Sequence, residues 1–251
     1  MLASDILYTN DSSTPAWLDA RWVTATDQID AFSSTAPEAV ARVWFAAPDP
    51  THAATVAAWL SPDERTRRDA FRHEGALAQF LTGRWLLRGA LATHLGQDPA
   101  TLRIALSERG ALQLPEHPGW YCNLTHTHSL VAVTLARTPV GIDVEAAARD
   151  ARIAALARRY FAPTEVAGLV AMPEPAQRER FFRLWTLKEA YIKARGQGMA
   201  IPLADFAFDL DAPTPTFTTT PALATPTPWR FASWRPTPSH LAAVALQSAS
   251  T

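Results

Sequence analysis

Apolar and polar positions alternate through Val140-Gly141-Ile142-Asp143-Val144-Glu145. That is the period of a strand, and it puts Asp143 and Glu145 on one face. From Gln177 to about Arg195 the spacing changes to that of a helix. Phe181, Phe182, Trp185 and Ile192 supply its buried stripe, and Gly196 and Gly198 stop it. Pro173 and Pro175 break the helix before it. Glu189 and Lys193 are four apart on the long helix and lie one turn above each other.

Elsewhere, Val40 to Ala46 predicts the first strand. Ser61-Pro62-Asp63-Glu64 predicts a helix start, with a serine cap, proline at the first helical position and acids in the first turn. Helical spacing continues to about Arg88, broken near Gly75. Leu102 to Leu106 predicts a strand, and another runs into Thr125-His126-Thr127-His128. Leu130 to Arg137 alternates, and Thr138-Pro139 turns it into the Val140 strand, which predicts an antiparallel hairpin. Helices are predicted at Ala151 to Phe161 and from Ala162-Pro163-Thr164-Glu165, with Thr164 as the cap. Phe206 to Leu210 predicts a strand, Asp211 to Pro228 a threonine- and proline-rich loop, and Trp229–Trp234 with Leu241–Leu246 a final hairpin. The order of strand, helices and strands is similar on both sides of Thr138-Pro139, without a repeat in the sequence. That suggests a duplicated α+β unit.

The 251 residues are enough for one large domain or two small ones, and 48% hydrophobic with 19% charged residues is globular composition. A net charge of −1 gives no global basic field for nucleic acid or an anionic membrane. Cys122 is the single cysteine, which excludes a disulfide framework and a cysteine metal site and fits a reducing cytosol. No apolar run reaches membrane-spanning length. The N-terminus, with Asp5, Asn10, Asp11, Ser12 and Ser13, lacks the order of a signal peptide. Residues 1–37 read as an arm with a breaker cluster at Asn10 to Pro15; Trp17, Trp22 and Phe32 pin it to the body or it hangs loosely.

Three carboxylates, Asp143, Glu145 and Glu189, and Lys193 lie on two elements whose faces can meet. Hard oxygen ligands of this kind suit Mg²⁺, which keeps waters and shares a phosphate-bearing substrate. The bland alternative for Lys188, Glu189 and Lys193 is a salt-bridged exposed face. Arg65, Arg67, Arg68, Arg72, Arg84 and Arg88 form either a solvated basic face or a phosphate-binding rim. His126 and His128 lack neighbouring cysteines or further histidines for a metal site.

Gly141-Ile142-Asp143-Val144-Glu145, followed by Trp185-Thr186-Leu187-Lys188-Glu189-Ala190-Tyr191-Ile192-Lys193, resembles the two-part signature of the 4′-phosphopantetheinyl transferases. The match is to the large monomeric surfactin-synthetase-activator type and runs from about Val40 to Leu246. Ser61 to Arg65, Asn123 to Thr127, and Tyr160-Phe161 through Thr164-Glu165 resemble further landmarks in the family's order. The resemblance implies an α+β fold: a pseudo-two-fold pair of similar subdomains, 38–137 and 138–251 after the arm, with coenzyme A and Mg²⁺ in the cleft between them. It implies a cytoplasmic, monomeric enzyme of the holo-acyl-carrier-protein synthase type. Such an enzyme moves phosphopantetheine from coenzyme A to a serine of an apo acyl or peptidyl carrier protein and releases adenosine 3′,5′-bisphosphate.

By the same resemblance, Asp143, Glu145 and Glu189 hold Mg²⁺, and Glu189 or a metal-bound water it orients takes the serine proton. Lys193 and Lys188 face the phosphates. Thr125 and His126 contact the 3′-phosphate, Arg67 is a basic phosphate contact, and Glu165 stands on the carrier-facing side. Ile153, Arg158, Arg159 and Phe161 combine apolar and basic character and are expected to dock the carrier. Three positions depart from the family pattern: Ala111 replaces a common lysine, Gln79 a common arginine, and Glu64 a frequent basic residue. They leave open how the adenosine-phosphate end is held. The competing reading is a catalytically weak relative that binds coenzyme A or a carrier protein as an interaction module.

Overall fold

The computed structural model describes residues 14–24, 29–33, 36, 39–148, 152–212 and 214–249. Asn10 to Ser13 of the predicted breaker cluster, and Ala151 at the predicted helix start, lie outside the described residues. The protein is α+β and divides into two compact units, residues 1–107 with 112–137, and 108–111 with 138–251.

The first unit contains β1 (Leu18–Trp22), β2 (Ala41–Ala46), α1 (His52–Trp59), α2 (Pro62–Asp69), α3 (Glu74–Leu95), β3 (Ala105–Leu106), β4 (Leu112–Gln113), β5 (Tyr121–His126) and β6 (Val131–Ala136). Its main sheet runs β1-β2-β6-β5, with β1 and β2 parallel and the other pairs antiparallel. α3 buries Leu81, Trp85, Leu86, Leu87, Ala90 and Leu91 in one core with Trp44, Val131, Val133 and Leu135 of the sheet. β1 falls within the stretch read as an arm, and it is a paired strand of this sheet. Phe32 is fully buried and sits on α3 at Gly89, where a Cβ would stand 2.4 Å from the ring. Only glycine lets the ring approach the helix backbone this closely.

The second unit contains β7 (Val140–Ala146), α4 (Ile153–Tyr160), α5 (Pro163–Val170), α6 (Glu174–Ala194), β8 (Phe206–Asp209), β9 (Thr216–Thr219), β10 (Trp229–Thr237) and β11 (His240–Gln247). β10, β11 and β7 form an antiparallel sheet, and β8 pairs with β9. α6 packs on β7 and β11. Tyr191 is the hub of the core: Phe206, Phe217 and Trp229 lie 4.8, 4.9 and 5.1 Å from its ring. Each such aromatic pair adds about 0.5–1.5 kcal/mol beyond its area burial.

Four sequence expectations are corrected. β6 and β7 do not form a hairpin: β6 pairs with β2 and β5, and β7 pairs with β11. The connection between them is tied to the C-terminal strand, where Thr138 Oγ1 donates to Gln247 O at 2.5 Å and Gln247 N donates to Pro139 O at 2.9 Å. The 211–228 loop contains β9, because Thr216-Phe217-Thr218-Thr219 alternates and drops Phe217 onto the aromatic core. α6 starts earlier than expected, at Glu174, since Pro175 sits in the first turn, where its missing N–H costs no hydrogen bond. Thr164 is not the cap of α5. Ala162 holds that position, and its N–H donates to Glu165 Oε2 at 2.9 Å.

Candidate active site

The second unit brings the signature residues together through an unusually close strand–helix contact. A Cβ on Gly141 would stand 2.1 Å from Ala190 O and 2.5 Å from Ala194 N. The backbone of α6 therefore rests directly on β7, and across the register Ala243 and Ala245, beside Asp143 and Gly141, keep the floor shallow. One strand step from Gly141 on the same face is Asp143, buried at 5% exposure. Lys193 Nζ donates to Asp143 Oδ1 at 2.6 Å and to Ile142 O at 3.3 Å. Glu189 lies one turn back along α6. Burial first, and then the negative charge of Asp143, holds its carboxyl above the usual range, while Lys193 opposes both. Two acids and one lysine are thus gathered where α6 crosses β7.

Glu145 shares that face of β7, opposite Leu241, and is half-buried. Among the described residues, no three His, Cys, Asp or Glu side chains are gathered closely enough to hold a metal ion. The expected triad of Asp143, Glu145 and Glu189 is therefore not preassembled, and Asp143 is turned to Lys193 instead. The donor chemistry still fits a hard divalent cation: Asp143 and Glu189 are neighbouring carboxylates that raise each other's cost of ionisation, with one lysine between them.

Lys188 does not lie where the resemblance puts it. It is fully buried, and Nζ donates to Glu165 Oε2 at 2.8 Å, Leu203 O at 2.7 Å and Phe206 O at 2.6 Å. Those three acceptors use all the protons of an ammonium group. Burial lowers its pKa, and Glu165 opposes the shift. Glu165 is itself only 5% exposed and also accepts from Phe208 N at 2.9 Å. The pair ties α5 and β8 to α6 and is a structural anchor rather than a phosphate contact or a carrier-facing acid. Ile153 and Phe161 are also buried, so of the expected docking residues Arg158 and Arg159 alone are exposed.

Arg67, Thr125 and His126 belong to the first unit. Thr125 is buried and His126 exposed, as consecutive residues of β5 must point to opposite faces. Arg67 is exposed, with its guanidinium 5.7 Å over Phe80. Gln79 donates to His128 O at 3.3 Å and ties the helix to the loop after β5. Of the arginine-rich stretch, Arg84 and Arg88 are interior and do not form a rim. Glu64 pairs with both. The signal for this in the sequence was the three-turn spacing of Leu77, Leu81, Arg84 and Arg88 on one helix face.

The model of the 4′-phosphopantetheinyl transferase superfamily matches residues 139–245, and through that segment the chain belongs to the superfamily. Relatives agree. A 4′-phosphopantetheinyl transferase of Bacillus subtilis is 31% identical over 151 residues, 60% of this chain and 66% of its own length. The 4′-phosphopantetheinyl transferase HetI of Nostoc sp. is 35% identical over 149 residues, 58% of this chain and 63% of its own. The 4′-phosphopantetheinyl transferase Sfp of Bacillus subtilis strain 168 is 29% identical over 153 residues, 61% of this chain and 67% of its own. The chain thus matches just under two thirds of the first two relatives' length. Among the described residues, no helix is long and apolar enough to cross a membrane.

Proposed function

We propose that the protein transfers the 4′-phosphopantetheine group of coenzyme A to a serine hydroxyl of an apo acyl or peptidyl carrier protein, in an Mg²⁺-dependent reaction. The observation that carries the reading is the gathering of Asp143, Glu189 and Lys193 where α6 crosses β7. The serine oxygen forms a bond to the phosphorus on the pantetheine side. The bond from that phosphorus to the bridging oxygen breaks, and adenosine 3′,5′-bisphosphate leaves with the electron pair. The proton of the serine passes to the Glu189 carboxylate, whose raised pKa makes it a better acceptor near neutral pH.

Mg²⁺, held by Asp143 and Glu189 with Glu145 on the same strand face, supplies neutralisation of the pyrophosphate charge. Lys193 contributes a second positive charge at the leaving phosphate, and its bond to Asp143 fixes where that charge stands. Arg67 and His126, with Thr125, hold the 3′-phosphate by the resemblance. Arg158 and Arg159 on α4 offer a basic surface to the acidic recognition helix of the carrier. The protein works as a cytoplasmic monomer. Cys122 is inert there, since burial pushes its thiol up to about 12.

The test is a mass measurement on a panel of apo carriers incubated with the protein, coenzyme A and Mg²⁺. Addition of phosphopantetheine to at least one carrier is expected. Intact coenzyme A binding with no transfer to any carrier would replace this reading with that of a non-catalytic binding module.

A further inference from the structure

Arg84 and Arg88 stand one turn apart on α3, both buried, and share one carboxylate, that of Glu64. Arg88 is saturated. Its Nε and Nη2 donate to Glu64 Oε2 at 3.1 and 2.5 Å, and Nη1 donates to Pro99 O at 2.6 Å and Leu102 O at 3.1 Å. Arg84 is not. Its Nε lies 3.1 Å from Glu64 Oε1 without forming a hydrogen bond, although the side chain is only 10% exposed. Its guanidinium otherwise rests on the Phe80 ring at 5.2 Å, which Arg67 also covers. Burial lowers the Arg84 pKa, Glu64 opposes that, and the charges of Arg67 and Arg88 add to it. A buried cation short of hydrogen-bond acceptors costs free energy unless an anion comes to it.

Space for that anion is present. Arg84 lines a cavity of about 480 Å³ together with Arg67 and Arg103, against an apolar wall of Leu102, Ile104 and Leu112. Asp63 and Glu64 are the acids of its lining, so with Arg88 behind it the site carries an excess of two positive charges. Glu64 is immobilised independently, because its Oε2 also accepts from Ser61 N at 3.0 Å in the capping box of α2.

We infer that Arg84 is a specificity-determining residue. With Arg67 it grips a phosphomonoester dianion in this cavity, which on the transferase reading above is the 3′-phosphate of coenzyme A, and Glu64 is the positioning residue that aims it. Coenzyme A offers two kinds of phosphate. The pyrophosphate is the reacting group and belongs with the carboxylates and Lys193 of the second unit. The 3′-phosphate is a monoester, near −2 at neutral pH, and matches the charge excess here. A guanidinium fork matches two phosphate oxygens at once. Arg84 supplies the charge that Ala111, Gln79 and Glu64 do not.

The experiment compares coenzyme A with 3′-dephospho-coenzyme A as donors for the full chain. The wild type is expected to prefer coenzyme A by roughly ten- to a hundredfold in kcat/KM, the range of one charge-assisted hydrogen-bonded contact. Arg84→Met erases the preference by raising KM for coenzyme A alone, and Arg84→Lys keeps part of it. Glu64→Gln narrows the preference as well, whereas a purely structural role would shift both donors equally. A folded Arg84→Met variant with the wild-type preference overturns the inference, as does a wild type that accepts both donors equally. Should Arg84→Met not fold, Arg84→Lys decides, and an undiminished preference overturns it. A wild type that transfers from neither donor refutes the transferase reading instead. Calorimetry then settles the cavity by itself. Tighter binding of adenosine 3′,5′-bisphosphate than of adenosine 5′-monophosphate, lost in Arg84→Met, upholds the inference, and equal binding by both proteins overturns it.

Discussion

Gly141 and Ala190 are in backbone contact: the carbonyl oxygen of Ala190 occupies the space, 2.1 Å away, where any other residue at 141 would place its Cβ. This contact sets the depth at which α6 rests on β7, and with it the reach of Lys193 to Asp143. Gly141→Ala must push helix from strand, since the obstructing atoms are backbone. A loss of about 3 kcal/mol or more is expected, at the upper end of overpacking costs, with transfer activity falling further than stability. Urea unfolding checks the first part, and a midpoint equal to wild type would show that the helix does not rest there.

Glu189 is predicted to act against the stability of the metal-free protein. Its folded-state pKa is raised, so its stabilising contribution is present below the ordinary 4.5 and is lost as pH rises through the higher folded value. Glu189→Gln should leave the metal-free fold as stable as wild type or more so at pH 7, while lowering kcat by about 10²–10⁴-fold. Mg²⁺ should raise the Tm of the wild type and not that of Asp143→Asn. An equal Mg²⁺ response in both would remove Asp143 from the metal site.

Lys188 should behave as an anchor. Removing one partner of a fully buried pair leaves the other charged and unmatched, so Lys188→Met is expected to cost about 3–5 kcal/mol. The double variant with Glu165→Gln should lose less than the sum of the two single losses. In the folded fraction, KM for coenzyme A stays near wild type. A stable Lys188→Met protein with a raised KM would instead return this lysine to the phosphates.

Acid should destabilise the protein below the range of ordinary histidine titration. His52, stacked on Trp85 at 4.0 Å, His94 and His240 all have lowered pKa values, burial being the main cause in each. A depressed folded pKa means stability is complete above the unfolded value of 6.5 and is lost as pH falls from there toward the folded values. Tm measured from pH 7.5 to 5.5 should fall, and less steeply in His52→Gln. A Tm flat across that range would contradict the burial of these rings in their neutral form.

The amino-acid order alone determined the elements whose period was long and regular: the β7 alternation, the α6 stripe, the proline-led start of α2 and the final hairpin. It also determined that Asp143, Glu189 and Lys193 carry the chemistry, because their spacing on a strand and a helix restricts which faces they occupy. Period says nothing about which partner a face meets. β6 alternates well enough to pair with β7, yet pairs with β2 and β5, since strand pairing is settled by burying both faces of the sheet among residues distant in sequence. Lys188 and Glu189 are adjacent in the chain and about 100° apart around the helix. Only the packed structure decided that Lys188 turns inward to Glu165 while Glu189 turns to Asp143. The same holds for Arg84: its helical period placed it on the face of Arg88, but the single carboxylate the two share is contributed from 20 or more residues away, by a helix that packing alone brings beside them.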